Sequence, residues 1–333
     1  MKNIVPASFR GCVLVRRDGE ELLRVCQGMR SLSEELENNP GTLFPTASAG
    51  KAFVAVAVLQ LIDEGRLDFE DTLGELLPYD LGRIDPGVTV RQLLCHTSGV
   101  PDYFDESVMD DYAELWADVP NYRIRSNSDL FPLFFDKPML YAPGEKFQYN
   151  NSGYVMLAAV IEQVTGRPFD EHLREAVFEP AGMARTGYYE LDRLPGNCAN
   201  AYIWDAARGE YYANIFSVDA KGTGCGGAFT TVGDAACFWD ALYGGRLLSA
   251  EMLEMMTAVQ AQAQWEDPYG FGLWLKRRGE AILPYFTGCD PGVSFVSLRD
   301  ARSGLEITAV SNYGDDVWAL QDALLDEFEE ELW

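Results

Sequence analysis

Both ends of the chain contain segments whose apolar and polar positions alternate as in β-strands. Residues 10–28 alternate around the turn Arg17-Asp18-Gly19-Glu20, and an Asp-Gly pair in this setting favours a tight hairpin. Further strand-like runs, separated by short turns, lie towards the other end. They are 270–278, 281–287, 293–299 and 305–312. Because strands joined by short turns pair antiparallel, these segments predict an antiparallel sheet.

Helical patterns lie between and after these strands. The stretch from Ser48 to Gly65 is apolar nearly all round, which predicts a helix buried in the core. Residues 66–221 are rich in Pro, Asp and aromatic residues and contain short helical patterns. The last segment, 315–332, has one apolar and one acidic face, which indicates a closing helix with a solvated side. Other helices are predicted over 151–165, 232–243 and 249–258.

Strands at both ends with helices between them predict an α+β fold. The N- and C-terminal strands form its antiparallel sheet, which is flanked by helices. We expect residues 1–65 and 222–333 to form this discontinuous sheet domain. Residues 66–221 form an inserted, mainly helical region, and an active site is expected between the two.

Charge and composition exclude several classes of function. The 333 residues include 26 Lys and Arg against 52 Asp and Glu, a net charge of −26, which disfavours binding to nucleic acid or to anionic membranes. No leader pattern and no apolar run of about 18 residues occurs, so we expect a cytoplasmic location and no membrane partner. Seven scattered cysteines without a C-x-x-C pair predict free thiols.

Several common cofactor and metal motifs are absent. Gly50-Lys51 resembles the end of a P-loop, but Ala52 replaces the hydroxyl residue that would hold magnesium. The G-x-G-x-x-G match at Gly222–Gly227 does not open a strand-helix-strand unit, so a tight loop is the better interpretation. Two histidines, His96 and His172, are too few for a three-histidine metal site. We therefore predict no cofactor and no metal.

The candidate chemistry begins with Ser48 and Lys51. Residues three apart on a helix share a face, so the lysine amine can reach the serine hydroxyl. A serine becomes nucleophilic when a neighbouring base takes its proton, and an amine kept neutral by burial can serve. In the alternative interpretation, Ser48 is only a helix N-cap and Lys51 a surface residue.

A second candidate group, Tyr149-Asn150-Asn151, stands directly before the helical pattern 151–165. A phenol can transfer a proton, and an amide can hold a substrate carbonyl or orient the lysine. Taken alone, the group is equally typical of a helix cap beside an aromatic residue.

Together these motifs resemble the serine β-lactamase and penicillin-binding protein superfamily. Within it they are most similar to the class C β-lactamase-like branch, with its family VIII esterases and D-aminopeptidase-like hydrolases. The resemblance covers nearly the whole chain. Its main segments are TLFPTASAGKAFVAVAVLQLIDEGRL, TVRQLLCHTSGVPDY, APGEKFQYNNSGYVMLAAVIEQVTGRPF, GGAFTTVGDAACFWDAL and FTGCDPGVSF.

The resemblance implies a β-lactamase/transpeptidase-like fold and assigns roles to residues of this chain. Ser48 would be the acylated nucleophile, with Lys51 and Tyr149 as the proton-transfer pair, in either order. Asn151 would contact the substrate and Lys51. The backbone N–H groups of Ser48 and Cys289 would form the oxyanion hole. His96 is interpreted as a structural, hydrogen-bonding histidine.

The family's third motif, Lys/His-Thr/Ser-Gly, aligns with Phe286-Thr287-Gly288, which we expect at the substrate site. Phenylalanine supplies neither a hydrogen bond nor a charge for a substrate carboxylate. This difference favours uncharged esters or amides over β-lactams, unless a basic residue of the run 276–278 reaches the site. We prefer a solvated strand end for that run. The thiols of Cys225 and Cys289 are predicted to be spectators.

The sequence therefore predicts a serine hydrolase that acts on an ester, amide or lactam carbonyl of a small-molecule or peptide-like substrate through an acyl-enzyme on Ser48. The alternative is a catalytically impaired member of the fold that binds a small molecule or a protein partner. The degraded third motif favours this alternative, and the joint presence of Ser48, Lys51 and Tyr149 opposes it. The oligomeric state is left open.

Overall fold

The computed structural model describes residues 4–109, 111–263 and 267–330. The longest strands lie near the two ends of the chain. The strands are β1 Gly11–Arg17, β2 Glu20–Gln27, β3 Met29–Ser31, β4 Leu36–Glu37, β5 Phe44–Pro45, β6 Tyr202–Asp205, β7 Glu210–Ala213, β8 Phe229–Thr230, β9 Trp274–Arg278, β10 Ala281–Asp290, β11 Val293–Asp300 and β12 Leu305–Ser311.

The α-helices fall mainly between these two groups of strands. They are α1 Lys51–Asp63, α2 Leu73–Leu76, α3 Val90–Leu94, α4 Asn151–Thr165, α5 Phe169–Leu173, α6 Glu179–Ala181, α7 Val232–Tyr243, α8 Ala250–Thr257 and α9 Val317–Glu330. Single turns of 3₁₀ helix occur at several places, including Ala47–Gly50, directly before α1.

A six-stranded sheet with the order β2-β1-β12-β11-β10-β9 forms the centre of the fold. Each neighbouring pair is antiparallel, and β1 pairs along its whole length with β12. The hairpin between β1 and β2 turns at Asp18 and Gly19, which both have positive φ, as this tight turn requires. The predicted antiparallel sheet from the two ends of the chain is therefore confirmed.

Helices cover both faces of this sheet. Alternate residues of a strand point to opposite faces, so Leu14 contributes to one apolar core and its neighbours Val13 and Val15 to the other. Helices α1 and α7 pack in the first core, and α9 packs in the second. Because both faces are covered, β1, β11 and β12 are buried at nearly every position.

Helix α1 is buried nearly all round, as the sequence predicts. Residues 51–59 are all buried, so this helix runs through the core rather than over its surface. A Gly at position 65, with φ +69°, turns the chain away after the helix. The buried start of α1 carries Lys51 into the interior.

Between α1 and β9 the chain is more mixed than the sequence predicts. Helix α4 has the predicted bounds, but β6 and β7 form an antiparallel hairpin in a region expected to be mainly helical. The division at residues 65/66 and 221/222 remains a prediction. Within the described ranges, no helix combines the length and apolar character needed to cross a bilayer.

Candidate active site

The candidate nucleophile lies on the turn that leads into α1. Ser48 belongs to the 3₁₀ turn Ala47–Gly50, and Gly50 is the N-cap of α1. Ser48 is therefore not the helix cap that the simpler interpretation required. The preceding Ala47 has φ +47°, an uncommon conformation for a residue with a side chain. This backbone conformation places Ser48 at the wall of a cavity.

Lys51 is buried beneath Ser48, with 2% of its surface exposed, so it is not a surface residue. Its Nζ lies 3.0 Å from Ser48 Oγ. It also lies 2.8 Å from Asn151 Oδ1 and 2.5 Å from the backbone oxygen of Cys225. The structure thus brings together three residues that the motifs singled out, although Asn151 is 100 positions from the lysine.

Three oxygens surround Lys51 Nζ, and the charged amine can donate a hydrogen bond to each of them, Ser48 Oγ included. The Cys225 carbonyl oxygen and Asn151 Oδ1 can each only accept a hydrogen bond. The orientation of the Asn151 amide is fixed, because its Nδ2 donates to the backbone oxygen of Phe104 and to Glu106 Oε1, each at 3.2 Å. A neutral amine has two hydrogens and one lone pair. With both hydrogens donated to these oxygens, the lone pair is left for the Ser48 hydroxyl.

Burial has opposite effects on the two proton-transfer candidates. It lowers the pKa of the Lys51 amine, since the charged form loses its hydration, although nearby acidic groups oppose the shift. It raises the pKa of the Tyr149 phenol well above its usual value, and Glu106 adds to that rise. Around neutral pH, Tyr149 therefore keeps its proton, and Lys51 has an increased fraction of free amine.

Tyr149 stands beside both Ser48 and Lys51. The Ser48 hydroxyl lies close enough to lower the pKa of the Tyr149 phenol, against the larger effect of burial. The Lys51 Nζ lies 4.8 Å from the centre of the Tyr149 ring. The ring is stacked on Trp274, with centroids 5.9 Å apart and planes at 17°. Aromatic packing on one side and polar groups on the other fix the direction of the phenol.

The start of helix α4 holds Asn151 in place. Asn150 caps the helix by accepting a hydrogen bond from Gly153 N. The buried Asp102 accepts from the backbone N of Asn151 at 2.7 Å and from that of Ser152 at 3.0 Å. Asp102 is a supporting residue that the motif comparison did not single out, although it lies within the quoted segment TVRQLLCHTSGVPDY.

His96 is buried below this segment, as expected of a structural histidine. Its Nδ1 accepts a hydrogen bond from Asn150 N at 3.1 Å. Burial lowers the pKa of the imidazole well below its usual value, and the nearby Lys51 adds to this effect. His172 lies in α5, away from these groups.

The third motif is only partly at the site, which corrects the sequence-based expectation. Phe286 points into the core, where its ring packs against Phe53, Phe238 and Trp239, with centroid distances of 5.9, 5.4 and 5.2 Å. Thr287 faces α9 and accepts a hydrogen bond from Trp318 Nε1. Neither residue lines the cavity. The prediction that these side chains contact substrate is therefore wrong.

Gly288 brings β10 against the nucleophile turn. A Cβ at this position would lie 2.5 Å from Ser48 N and 2.3 Å from the backbone oxygen of Thr46, closer than real contacts allow. Only glycine permits this approach. The next residue, Cys289, lines the cavity beside Ser48.

A second glycine contact closes the turn from the other side. Gly226 has φ +155°, and a Cβ there would lie 2.3 Å from the Ala47 oxygen. Gly227 N donates to that same oxygen at 3.0 Å. The glycine-rich segment is thus a tight loop that supports the nucleophile turn and presents the Cys225 carbonyl to Lys51.

The cavity beside Ser48 has a volume of about 510 Å³ and an acidic wall. Of the described residues that line it, none is Lys or Arg. Burial raises the pKa of Asp219 to about 7 and that of Asp290 to about 8. The acidic lining residues are Glu106, Asp111, Asp219 and Asp290. Their clustering depends on tertiary structure, so sequence motifs did not reveal it.

The other candidate groups do not join the site chemistry. Burial raises the pKa of the Cys225 and Cys289 thiols to about 11, so they stay protonated at neutral pH. Lys276 and Arg278 pair with acidic residues of α9, and neither lines the cavity. Among the described residues, no group of three or more His, Cys, Asp or Glu side chains is arranged to hold a metal ion.

A six-stranded antiparallel sheet covered by helices, with a serine and a lysine one turn apart beside β10, defines the class of β-lactamase/transpeptidase-fold proteins. The family profile described as Beta-lactamase matches residues 7–323. The chain therefore belongs to the beta-lactamase family.

Known relatives agree with this assignment. Penicillin-binding protein 4* of Bacillus subtilis (strain 168) is 28% identical over 324 residues, which cover 92% of this chain and 69% of that protein. The crystal structure of a penicillin-binding protein from Bacillus halodurans is 35% identical, with a TM-score of 0.91, and covers 98% of this chain and 97% of that chain.

The fold is also shared with a more distant enzyme. The structure of D-amino acid amidase from Ochrobactrum anthropi SV3, complexed with L-phenylalanine, is 22% identical, has a TM-score of 0.82, and covers 99% of this chain and 97% of that chain. At this identity the likeness concerns the fold. Membership of the family supports serine hydrolase activity for the present chain.

Proposed function

We propose that the protein hydrolyses an ester or amide carbonyl through an acyl-enzyme on Ser48. The observation that carries this proposal is the buried Lys51 amine, whose Nζ lies 3.0 Å from Ser48 Oγ and whose other two contacts are both hydrogen-bond acceptors. An amine in these surroundings is arranged to take the serine proton.

In the proposed reaction, Ser48 Oγ attacks the carbonyl carbon while its proton passes to Lys51 Nζ. Backbone N–H groups of Ser48 and Cys289 stabilise the oxyanion. The tetrahedral adduct loses its alcohol or amine, which receives a proton from Tyr149, and Lys51 returns a proton to the phenol. Water then attacks the acyl carbon by the same proton route and releases the acid. Asn151 holds Lys51 and faces the substrate.

Lys51 is the base in this proposal, and Tyr149 is the acid. The pKa directions support this order, because burial lowers the pKa of the amine and raises that of the phenol. A phenol that keeps its proton is a donor to a leaving group and a poor acceptor from serine.

The cavity wall supports uncharged substrates over anionic ones. Position 286 offers no cation, because it is a phenylalanine, and its ring lies in the core. The described residues that line the cavity include acids but no Lys or Arg. As Asp219 and Asp290 ionise, with pKa values of about 7 and 8, a substrate carboxylate would meet like charge there. We therefore propose that neutral esters or amides react faster than β-lactams, which carry a carboxylate.

The test is intact-protein mass spectrometry after exposure to a fluorophosphonate, combined with turnover of p-nitrophenyl butyrate. We expect one phosphonyl adduct and steady ester hydrolysis, both lost in Ser48→Ala and both kept in Ser33→Ala, a matched change at an exposed serine. Absence of an adduct, or the same adduct on Ser48→Ala, would contradict the proposal and favour a non-catalytic binding role.

A chromogenic cephalosporin in the same assay separates the substrate classes. We expect slower turnover of the cephalosporin than of the butyrate ester. Faster cephalosporin turnover would show that the acidic wall does not control the choice of substrate.

A further inference from the structure

His96 forms hydrogen bonds with the backbone on both sides of Tyr149. Its backbone oxygen accepts a hydrogen bond from Gln148 N at 3.0 Å. Its imidazole Nδ1 accepts one from Asn150 N at 3.1 Å. A single residue thus accepts hydrogen bonds from the backbone N–H groups of the residues immediately before and after the proposed acid.

The imidazole also packs against the ring that it brackets. The ring centroids of His96 and Tyr149 are 4.5 Å apart, with the planes at 40°. Tyr154 and Tyr269 enclose the imidazole at centroid distances of 5.0 and 4.7 Å. With 1% of its surface exposed, His96 has little freedom to move, and any shift of its ring would displace Tyr149.

The hydrogen bond at Nδ1 requires a neutral imidazole with its proton on Nε2. Among the described residues, Nε2 finds no hydrogen-bond acceptor. A buried donor without an acceptor costs free energy. Protonation at Nδ1 would cost more, since it would turn one N–H towards another. The site therefore holds the imidazole in its Nε2-protonated form, which can accept a hydrogen bond from Asn150 N, despite the cost of the unpaired Nε2–H.

The backbone at His96 adds a second constraint. Its φ of +59° is in the left-handed region, which is uncommon for residues other than glycine. Through this conformation the carbonyl and the side chain of one residue both serve as acceptors for the Tyr149 segment.

We propose that His96 is a positioning residue that keeps the Tyr149 hydroxyl near Ser48 by packing against the tyrosine ring and by holding the backbone N–H groups of Gln148 and Asn150. The inference rests on the proposed function of Ser48 and Tyr149. His96 does not line the cavity, so its effect falls on the rate of acylation and not on the binding of a substrate or probe.

Two substitutions separate the side-chain hydrogen bond from the backbone conformation. Asparagine tolerates left-handed φ and carries an oxygen near the position of Nδ1, so His96→Asn can keep the bond to Asn150 N. Glycine tolerates the same φ but has no acceptor, so His96→Gly loses that bond. Both variants lose the ring, and they differ in the acceptor.

The measurement is the rate of Ser48 phosphonylation by a fluorophosphonate over a range of probe concentrations. We expect His96→Gly to lower the limiting rate by about 10²-fold, as misplacement of a catalytic group by about 1 Å can do, with an unchanged half-saturating concentration. We expect His96→Asn to recover most of the loss. Circular dichroism melting gives the folded fraction to which each rate is normalised.

Several outcomes would overturn the inference. Wild-type rates in His96→Gly would show that the bond does not position Tyr149, and an equal loss in both variants would show that the acceptor is not the important group. A raised half-saturating concentration at an unchanged limiting rate would place His96 in binding instead. If His96→Gly does not fold, His96→Asn decides alone: a rate near wild type supports the inference, and a 10²-fold loss refutes it.

Failure of the proposed function has a different signature. It appears as an absence of any Ser48 adduct on the wild-type protein. The positioning inference fails only when the wild-type protein reacts and the variants contradict the expected pattern.

Discussion

The inner end of the cavity and its outer wall use burial in opposite ways. At the inner end, burial lowers the pKa of Lys51, and protein groups occupy each of its hydrogen-bonding positions. On the outer wall, burial raises the pKa of Asp219 and Asp290 to about 7 and 8. The contacts of Lys51 at the inner end are thus already formed in the protein without a substrate. In the proposed function, the outer wall instead determines which charges on a substrate the cavity accepts.

In the proposed function, the groups that catalyse the reaction thus lie at one end of the cavity, and the groups that select the substrate lie on its outer wall. A change at the inner end should reduce the reaction of every substrate, because it removes a group that handles protons or charge in the transition state. A change on the outer wall should alter the ratio between substrates.

Removing the amine tests the inner end most directly. Lys51→Met keeps the length and apolar stem of the side chain but removes the proton acceptor, so we expect kcat/KM for p-nitrophenyl butyrate to fall by about 10²–10⁴-fold. The exposed Lys146→Met is the control and should keep wild-type activity. Wild-type activity in Lys51→Met would instead make Tyr149 the base.

The close approach of β10 gives the next largest effect. In Gly288→Ala the new methyl group must push the strand away from Ser48 N, and we expect a loss of about 10²–10³-fold in kcat, as for removal of an oxyanion donor. Gly196→Ala is the control, because nothing lies within 4 Å of its added Cβ. A small effect at Gly288 would mean that the oxyanion is bound elsewhere.

The smallest effect is expected on the outer wall. Above the Asp290 pKa of about 8, Asp290→Asn removes one negative charge from the cavity, so kcat/KM for the p-nitrophenyl monoester of glutarate should rise relative to that for neutral butyrate, by roughly tenfold at most. The two esters share a leaving group and differ mainly in the charge of the acyl chain. An unchanged ratio would exclude Asp290 from charge selection.

The ratio should also depend on pH in a defined direction. Asp219 and Asp290, with pKa values of about 7 and 8, become negative as the pH rises through this range. The anionic ester should therefore react progressively worse than the neutral ester, and Asp290→Asn should weaken the change near pH 8. Effects of Lys51 titration cancel in the ratio, since both esters need the same base.

Local sequence patterns predict much of the fold. The strand-like runs, the Asp18-Gly19 turn and the apolar stretch after Ser48 depend on neighbouring residues, and the structure has the corresponding hairpin, sheet and buried helix. The β6–β7 hairpin was missed, although aromatic strand-forming residues flank its turn. The Pro- and Asp-rich character of the surrounding region obscured that signal.

Short spacing along the chain predicted the contact between Ser48 and Lys51, whereas contacts between distant segments were predicted less well. Ser48 and Lys51 are three residues apart on one turn. The direction of Phe286 depends on Phe53 and Phe238, which lie far away in the sequence, so alignment of the third motif could not show that its ring faces the core. The acidic wall likewise joins Asp219 with Asp290.

The pairing of β1 with β12 has a consequence for how the protein is made. Strand Gly11–Arg17 emerges from the ribosome about 300 residues before its partner Leu305–Ser311. Contacts between such distant segments form slowly, because a long loop must close first. The proposed nucleophile at Ser48 and the β10 strand beside it can meet only after most of the chain has been translated. A nascent chain therefore carries Ser48 and Lys51 before the contacts of Lys51 with Asn151 and Cys225 have formed.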